Sequence, residues 1–250
     1  MCTLVMHYQP QSEWPLLVAG NRDEMRDRPW QAPARHWPDR PQVIAGLDEL
    51  AGGTWFGVND QGVFASVLNR RGSLGPDEQR RSRGELVLEA LDHAAAEDAA
   101  TALADLSPAA YRGFNLIIGD AHGLFWLRHA DDGNAVVCVT ALSPGLHIIA
   151  NEEINDQNSP RLAYWLPQWR QAALPSPEAD DWNDWQTLLA QRYYPADDGP
   201  LAAMNIDYQQ RYGTICSQLL AIPGDPMARN IPFLFAAGPP DQAEFLPVTD

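Results

Sequence analysis

The sequence opens Met1-Cys2-Thr3. A cysteine in second position is small enough for the initiator methionine to be removed ahead of it. A mature chain beginning at Cys2 would carry a thiol and a free α-amine on one residue. That amine, with a reference pKa of about 7.7–8, can take the proton from its own thiol. No histidine is then needed to make the nucleophile. The chemistry implied is attack on an acyl carbon through a thioester. A second polar group, Asn21-Arg22-Asp23-Glu24, follows the short apolar run Pro15–Ala19.

Other chemistries lack their residues. The chain has no lysine, since all 17 of its basic residues are arginine, so Schiff-base and lysine-base mechanisms are excluded. Cys2, Cys138 and Cys216 are odd in number and far apart, which fits neither a disulfide framework nor a thiolate zinc site. Cys138, inside the apolar run Ala135–Leu142, is expected to be inert core. The six histidines show no metal-binding spacing. No glycine-rich nucleotide loop and no Gly-x-Ser-x-Gly elbow occurs. Neither a cofactor nor a metal is expected.

A formal net charge of −16 disfavours nucleic acid and anionic membranes as partners. The partner expected is a small-molecule substrate or an apolar ligand. No apolar run reaches the ~18 residues of a membrane span, and no signal peptide is visible. A cytoplasmic protein is the default expectation. At 250 residues the chain can bury a large core without a metal or disulfide.

The elements that must position Cys2 read as follows. Cys2–Tyr8 and Pro15–Ala19 suggest a hairpin of buried strands. Residues 25–50, rich in Pro and Arg, read as a long ordered loop. Gly53–Val58 and Val63–Asn69 flank an Asn59-Asp60-Gln61-Gly62 turn. Ser82 and Glu85 have capping-box spacing ahead of a helix. Ala94–Leu106 reads as a second helix. Phe114–Ile118, Leu124–His129, Ala135–Leu142 and Leu146–Ala150 suggest a four-strand meander. Helices are expected near 160–173 and 182–193, then strands at Tyr212–Ile222 and Pro232–Ala236. This order lacks regular βαβ alternation and suits stacked antiparallel sheets with helices outside. No linker or repeat is evident, so 1–250 reads as one domain.

Several segments together resemble a known family. Met1-Cys2-Thr3 and Asn21-Arg22-Asp23-Glu24 are joined by Gly52-Gly53-Thr54-Trp55 with Gly57-Val58-Asn59 and Gly62. Asn69-Arg70, Ser82-Arg83-Gly84-Glu85-Leu86, Gly113-Phe114-Asn115-Leu116 with Gly119-Asp120, and Tyr212-Gly213-Thr214 follow. In order and spacing they resemble the NRDE family, also called the transport and Golgi organisation protein 2 family. That family resembles N-terminal-nucleophile hydrolases, which implies an α+β fold: a four-layer αββα sandwich of antiparallel sheets. It also implies an amidohydrolase-like site.

On that resemblance Cys2 would be the nucleophile. Arg22 would lower its pKa and hold the thiolate. Asp23 would orient the α-ammonium. Asn151 would donate to the oxyanion, with Asn69 a weaker candidate and Asn115 structural. Asn21, Asn69 and Trp55 would meet the substrate. The family is also linked to haem mobilisation and Golgi organisation. A non-catalytic carrier of haem or a lipid-like ligand, lined by Trp165, Trp169, Trp182 and Trp185, is the competing expectation. Two departures stand out: Glu152-Glu153-Ile154-Asn155 stands in place of a Pro-Trp-Pro-Lys run, and Ile215 stands where many members carry Arg.

Overall fold

Strand β1 (Thr3–Tyr8) is buried on both faces. Leu4, Met6 and Tyr8 point one way and Val5 the other, into different clusters, as period-2 alternation requires. A strand with two apolar faces must lie between two further layers. The computed structural model describes residues 2–73, 75, 77, 79–133 and 136–249, and it supplies those layers.

In chain order the strands are β1, β2 (Leu16–Met25), β3 (Trp30–Ala34), β4 (Val43–Asp48), β5 (Phe56–Asn59) and β6 (Phe64–Asn69). Helices α1 (Gly84–Leu91) and α2 (Ala96–Ala104) follow. Next come β7 (Phe114–Gly119), β8 (Leu124–His129), β9 (Cys138–Ala141) and β10 (Gly145–Ile149). After α3 (Pro160–Gln171) and α4 (Asn183–Leu189) the chain closes with β11 (Asp207–Tyr208), β12 (Tyr212–Ile222), β13 (Phe233–Ala236) and β14 (Phe245–Pro247).

The first sheet runs β10-β1-β2-β12-β13-β14, with β11 beside β12; the second runs β3-β4-β5-β6-β7-β8-β9. One apolar cluster fills the space between the sheets. A second seats α1 and α2 on the outer face of the second sheet, and a third seats α3 and α4 on the outer face of the first. The architecture is an α+β, four-layer αββα sandwich.

Several sequence expectations need correction. Strand β2 does not stop at Ala19. It runs through Asn21-Arg22-Asp23-Glu24, because β1 and β12 flank it and take up its backbone groups. The 25–50 stretch holds β3 and β4 rather than one loop. The meander is broken at its last member: β7, β8 and β9 pair in turn, but β10 crosses to pair with β1. The Ser82–Glu85 capping box does not form. Helix α1 starts at Gly84 with no side-chain cap, and the Glu85 carboxylate instead pairs with Arg81. Cys138 is exposed on β9, an edge strand open to solvent. The start of the expected strand, at Ala135, lies outside the described residues. No helix among the described residues is long and apolar enough to cross a membrane.

Candidate active site around Cys2

The register places the site. Strands β1 and β2 pair Thr3 with Asn21, and one step further sets Cys2 opposite Arg22. Strands β2 and β12 pair Arg22 with Cys216. Strands β10 and β1 pair Ile149 with Leu4, and two steps further set Asn151 opposite Cys2. Asn151, Cys2, Arg22 and Cys216 therefore form one row across four strands. Neighbours in such a row share a face, with Cα atoms ~5 Å apart. Here that face looks toward the second sheet.

A cavity of about 590 Å³ opens at this row, lined in part by Cys2, Arg22, Trp55, Asn69, Arg83 and Tyr212. Its size suits a small organic ligand. Arg22 dominates its floor. Nη2 donates to Asp48 Oδ2 at 2.9 Å, and Arg28 Nε donates to the same oxygen at 2.7 Å. The guanidinium lies 3.9 Å above the Trp55 ring, a cation–π contact. Arg22 Nη1 and Trp55 Nε1 are both buried and lack a hydrogen-bond partner among the described residues. Two such donors are an uncompensated cost of building this wall.

Glycines hold the wall. Thr54 N–H donates to Gly84 O at 3.1 Å. A Cβ on Gly53 would come within 2.6 Å of the Gly84 carbonyl carbon. The Gly-Gly-Thr-Trp and Ser-Arg-Gly-Glu-Leu segments thus meet backbone to backbone, which fixes Trp55 against the start of α1. Gly46 leaves room for the Trp55 ring, which a Cβ there would strike.

Burial pushes the Cys2 thiol above its ordinary pKa. The Asp23 carboxylate adds to the rise, while the hydrogen bond to the Asp23 carbonyl and the Arg22 cation oppose it. Arg22 acts in the expected direction, but burial outweighs it. The thiol proton must then be taken by a base during reaction. Cys2 Sγ lies 3.9 Å from the Asp23 carbonyl oxygen, which also accepts from Tyr212 Oη at 3.1 Å. Cys216 is fully buried, and its thiol is pushed far up by burial.

The expected site residues divide by face. Cys2, Arg22, Trp55 and Asn69 line the cavity, as does part of Asp23. The Asp23 carboxylate itself accepts from Thr214 Oγ1 at 2.6 Å and from Arg161 Nη1 at 3.1 Å. Asn151 sits in the row beside Cys2. With its amide nitrogen turned to the acceptor, it donates to Glu152 Oε2 at 2.7 Å. Asn21 is not at the cavity: alternation turns it toward the helices. There Nδ2 donates to Leu189 O at 3.0 Å and Met204 O at 2.9 Å, and Oδ1 accepts from Ser217 Oγ at 2.6 Å. Asn115 is structural; its amide nitrogen donates to Ala150 O and Glu152 O. Trp165, Trp169, Trp182 and Trp185 do not line the cavity. They pack between the helices and the first sheet, with Trp169 and Trp185 edge to face at 5.4 Å.

Sequence reasoning missed Asp48, Arg161 and Thr214. Asp48 was hidden in the supposed loop. Arg161 bears on Asp23 from 138 positions away, and no local pattern marks it.

The fold is similar to that of several solved structures. Penicillin V acylase from Agrobacterium tumefaciens matches with TM-score 0.51 and 15% identity, over 94% of this chain and 83% of that one. The Caenorhabditis elegans N-acylethanolamine-hydrolyzing acid amidase ortholog matches with TM-score 0.57 and 12% identity, over 98% and 100%. The C2A mutant of conjugated bile acid hydrolase from Clostridium perfringens matches with TM-score 0.51 and 10% identity, over 100% and 97%. No curated protein sequence matches the chain. The fold is therefore that of the N-terminal-nucleophile hydrolases. Within that class, the family model described as Transport and Golgi organisation 2 matches residues 1–228, and the chain belongs to that family.

Proposed function

We propose that this protein hydrolyses the amide bond of a small acyl compound, with Cys2 as nucleophile in a mature chain that begins at Cys2. The observation that carries this reading is the placement of Cys2. It lies just ahead of the first sheet's β1, at the wall of a ligand-sized cavity, one strand from a buried Arg22 whose Nη1 has no partner among the described residues. The three similar structures, an acylase, an amidase and a conjugated bile acid hydrolase, support the same class of reaction.

The step runs as follows. The Cys2 α-amine takes the thiol proton, and sulfur bonds to the acyl carbon while the carbonyl π pair moves to oxygen. The Asn69 amide, which lines the cavity, supplies a donor to that oxyanion. Collapse expels the amine, which takes the proton from the α-ammonium and leaves a Cys2 thioester. Water then attacks the thioester, giving up a proton through the same amine, and the acid and free thiol are released. A thiol kept protonated by burial fits a mechanism in which its base sits on the same residue.

The test is turnover of a panel of N-acyl amides by wild type and by Cys2→Ala. The variant is expected to lose activity by about a thousandfold or more and to melt within about a degree of wild type. Turnover that survives in Cys2→Ala overturns the mechanism.

A further inference from the structure

We propose that the Nε–Nη2 edge of Arg83 is the docking point for an anionic group, a carboxylate or a phosphate, on the ligand that occupies the Cys2 cavity. The inference rests on the hydrolase reading for what happens at Cys2, but not for what binds.

The cavity has the wrong charge for its protein. The chain carries 33 acidic and 17 basic residues. Yet among the described residues six arginines and four acids line this one space. Four of the arginines are matched by carboxylates. Arg22 and Arg28 share Asp48, Arg80 Nη1 meets Asp131 at 2.7 Å, and Arg81 meets Glu85 and Glu89. Arg112 donates to the carbonyls of Gly72 and Gly75.

Arg83 differs. All its hydrogen bonds to described residues come from Nη1, which donates to Ser73 O at 2.9 Å, Ser73 Oγ at 2.9 Å and Gly113 O at 3.0 Å. Those acceptors are neutral. They tether the head group from one side and leave the Nε–Nη2 pair with no acceptor among the described residues. That edge is the planar fork that takes a carboxylate or phosphate with two parallel hydrogen bonds.

The surroundings agree. Burial, and next the Arg112 cation, bring the Arg83 pKa down to about 10; Glu24 and the Cys2 thiolate oppose this, and Arg28 adds to it. Arg83 remains charged at neutral pH, held beside a like charge. An anion docked there would relieve both the desolvation and the repulsion. Because Cys2 and Arg83 wall the same cavity, one ligand can place its acyl carbon at the thiol and its anion at the fork.

The test uses full-length Cys2→Ala protein, so that binding is read without turnover. N-decanoylglycine, its methyl ester and N-decanoylethanolamine phosphate are titrated by calorimetry. The acid or the phosphate is expected to bind at least about tenfold tighter than the ester. The tighter of the two identifies the head group. Adding Arg83→Gln should collapse that preference. Arg83→Lys, which keeps the charge and loses the fork, should retain a smaller preference and guards against misfolding of the Gln variant. Equal binding of anion and ester, no binding of either anion, or a preference unchanged in a folded Arg83→Gln variant overturns the proposal. Wild-type turnover is measured in parallel. Arg83-dependent anion binding without turnover leaves this site standing and removes the hydrolase reading. Turnover with no anion preference does the reverse.

Discussion

Strand β2 carries two chemistries on its two faces, one residue apart. Asn21 and Asp23 face the helices, Arg22 the cavity. On the helix side every described bond closes inward: Asn21 is held by Leu189, Met204 and Ser217, and Asp23 by Thr214 and Arg161. On the cavity side Arg22 has a buried Nη1 with no partner among the described residues, and Trp55 Nε1 is likewise unmet. Satisfied polar groups hold an element in place, and among the described residues of β2 the one buried side-chain donor left unmet is on the cavity face. Half of the tetrapeptide is structural and half belongs to the site.

This contrast can be broken by substitution. The largest stability effect is expected on the helix side. Arg161→Met removes a cation from a fully buried carboxylate, and a loss of ~3–5 kcal/mol is expected in urea unfolding. Asn21→Leu leaves Ser217 Oγ and two carbonyls unmet, with an expected loss of ~2–3 kcal/mol. Arg22→Gln should cost less than either in stability, since Asp48 keeps Arg28, and more than either in ligand affinity or turnover. If Arg22→Gln unfolds the protein while Asn21→Leu does not, the division of faces is wrong.

Gly53→Ala sharpens the comparison from the cavity wall. A Cβ there meets the backbone of Gly84, and an overpacking cost of ~1–3 kcal/mol is expected. Fluorescence of Trp55 should change with it, because the contact it breaks seats that ring. The smallest effect concerns the thiol. Alkylation of Cys2 by iodoacetamide, followed by peptide mass mapping, should have its pH midpoint above the ordinary thiol value of about 8.5, because burial raises the pKa. Arg22→Gln should move the midpoint further up, since that cation favours the thiolate. A midpoint below the ordinary value contradicts the burial account.

The parts legible in the sequence were those with a local signature. Tyr212–Ile222 is one long apolar strand, and it appears as read. The alternation of β1 and the order of strands and helices pointed to stacked antiparallel sheets. Cys2, Arg22, Trp55 and Asn69, named from the sequence, share one cavity. What failed was non-local. Asn21 was placed at the substrate by the resemblance, beside Arg22; in a strand, alternation sends it to the other face. The tryptophans signalled burial but not in which layer. Asp48 and Arg161 reach the site from distant segments. Arg83 lay inside a recognised segment, but its open edge follows only from where Ser73 and Gly113 take the other side of its head group.

The most direct test of the central claim is the intact mass of the native protein, free and after rapid quenching with an N-acyl amide. The account predicts a chain that has lost its initiator methionine and, on quenching, a hydroxylamine-labile acyl adduct on Cys2. A chain that retains Met1 and still turns over the amide, or an adduct that persists in Cys2→Ala, would contradict it.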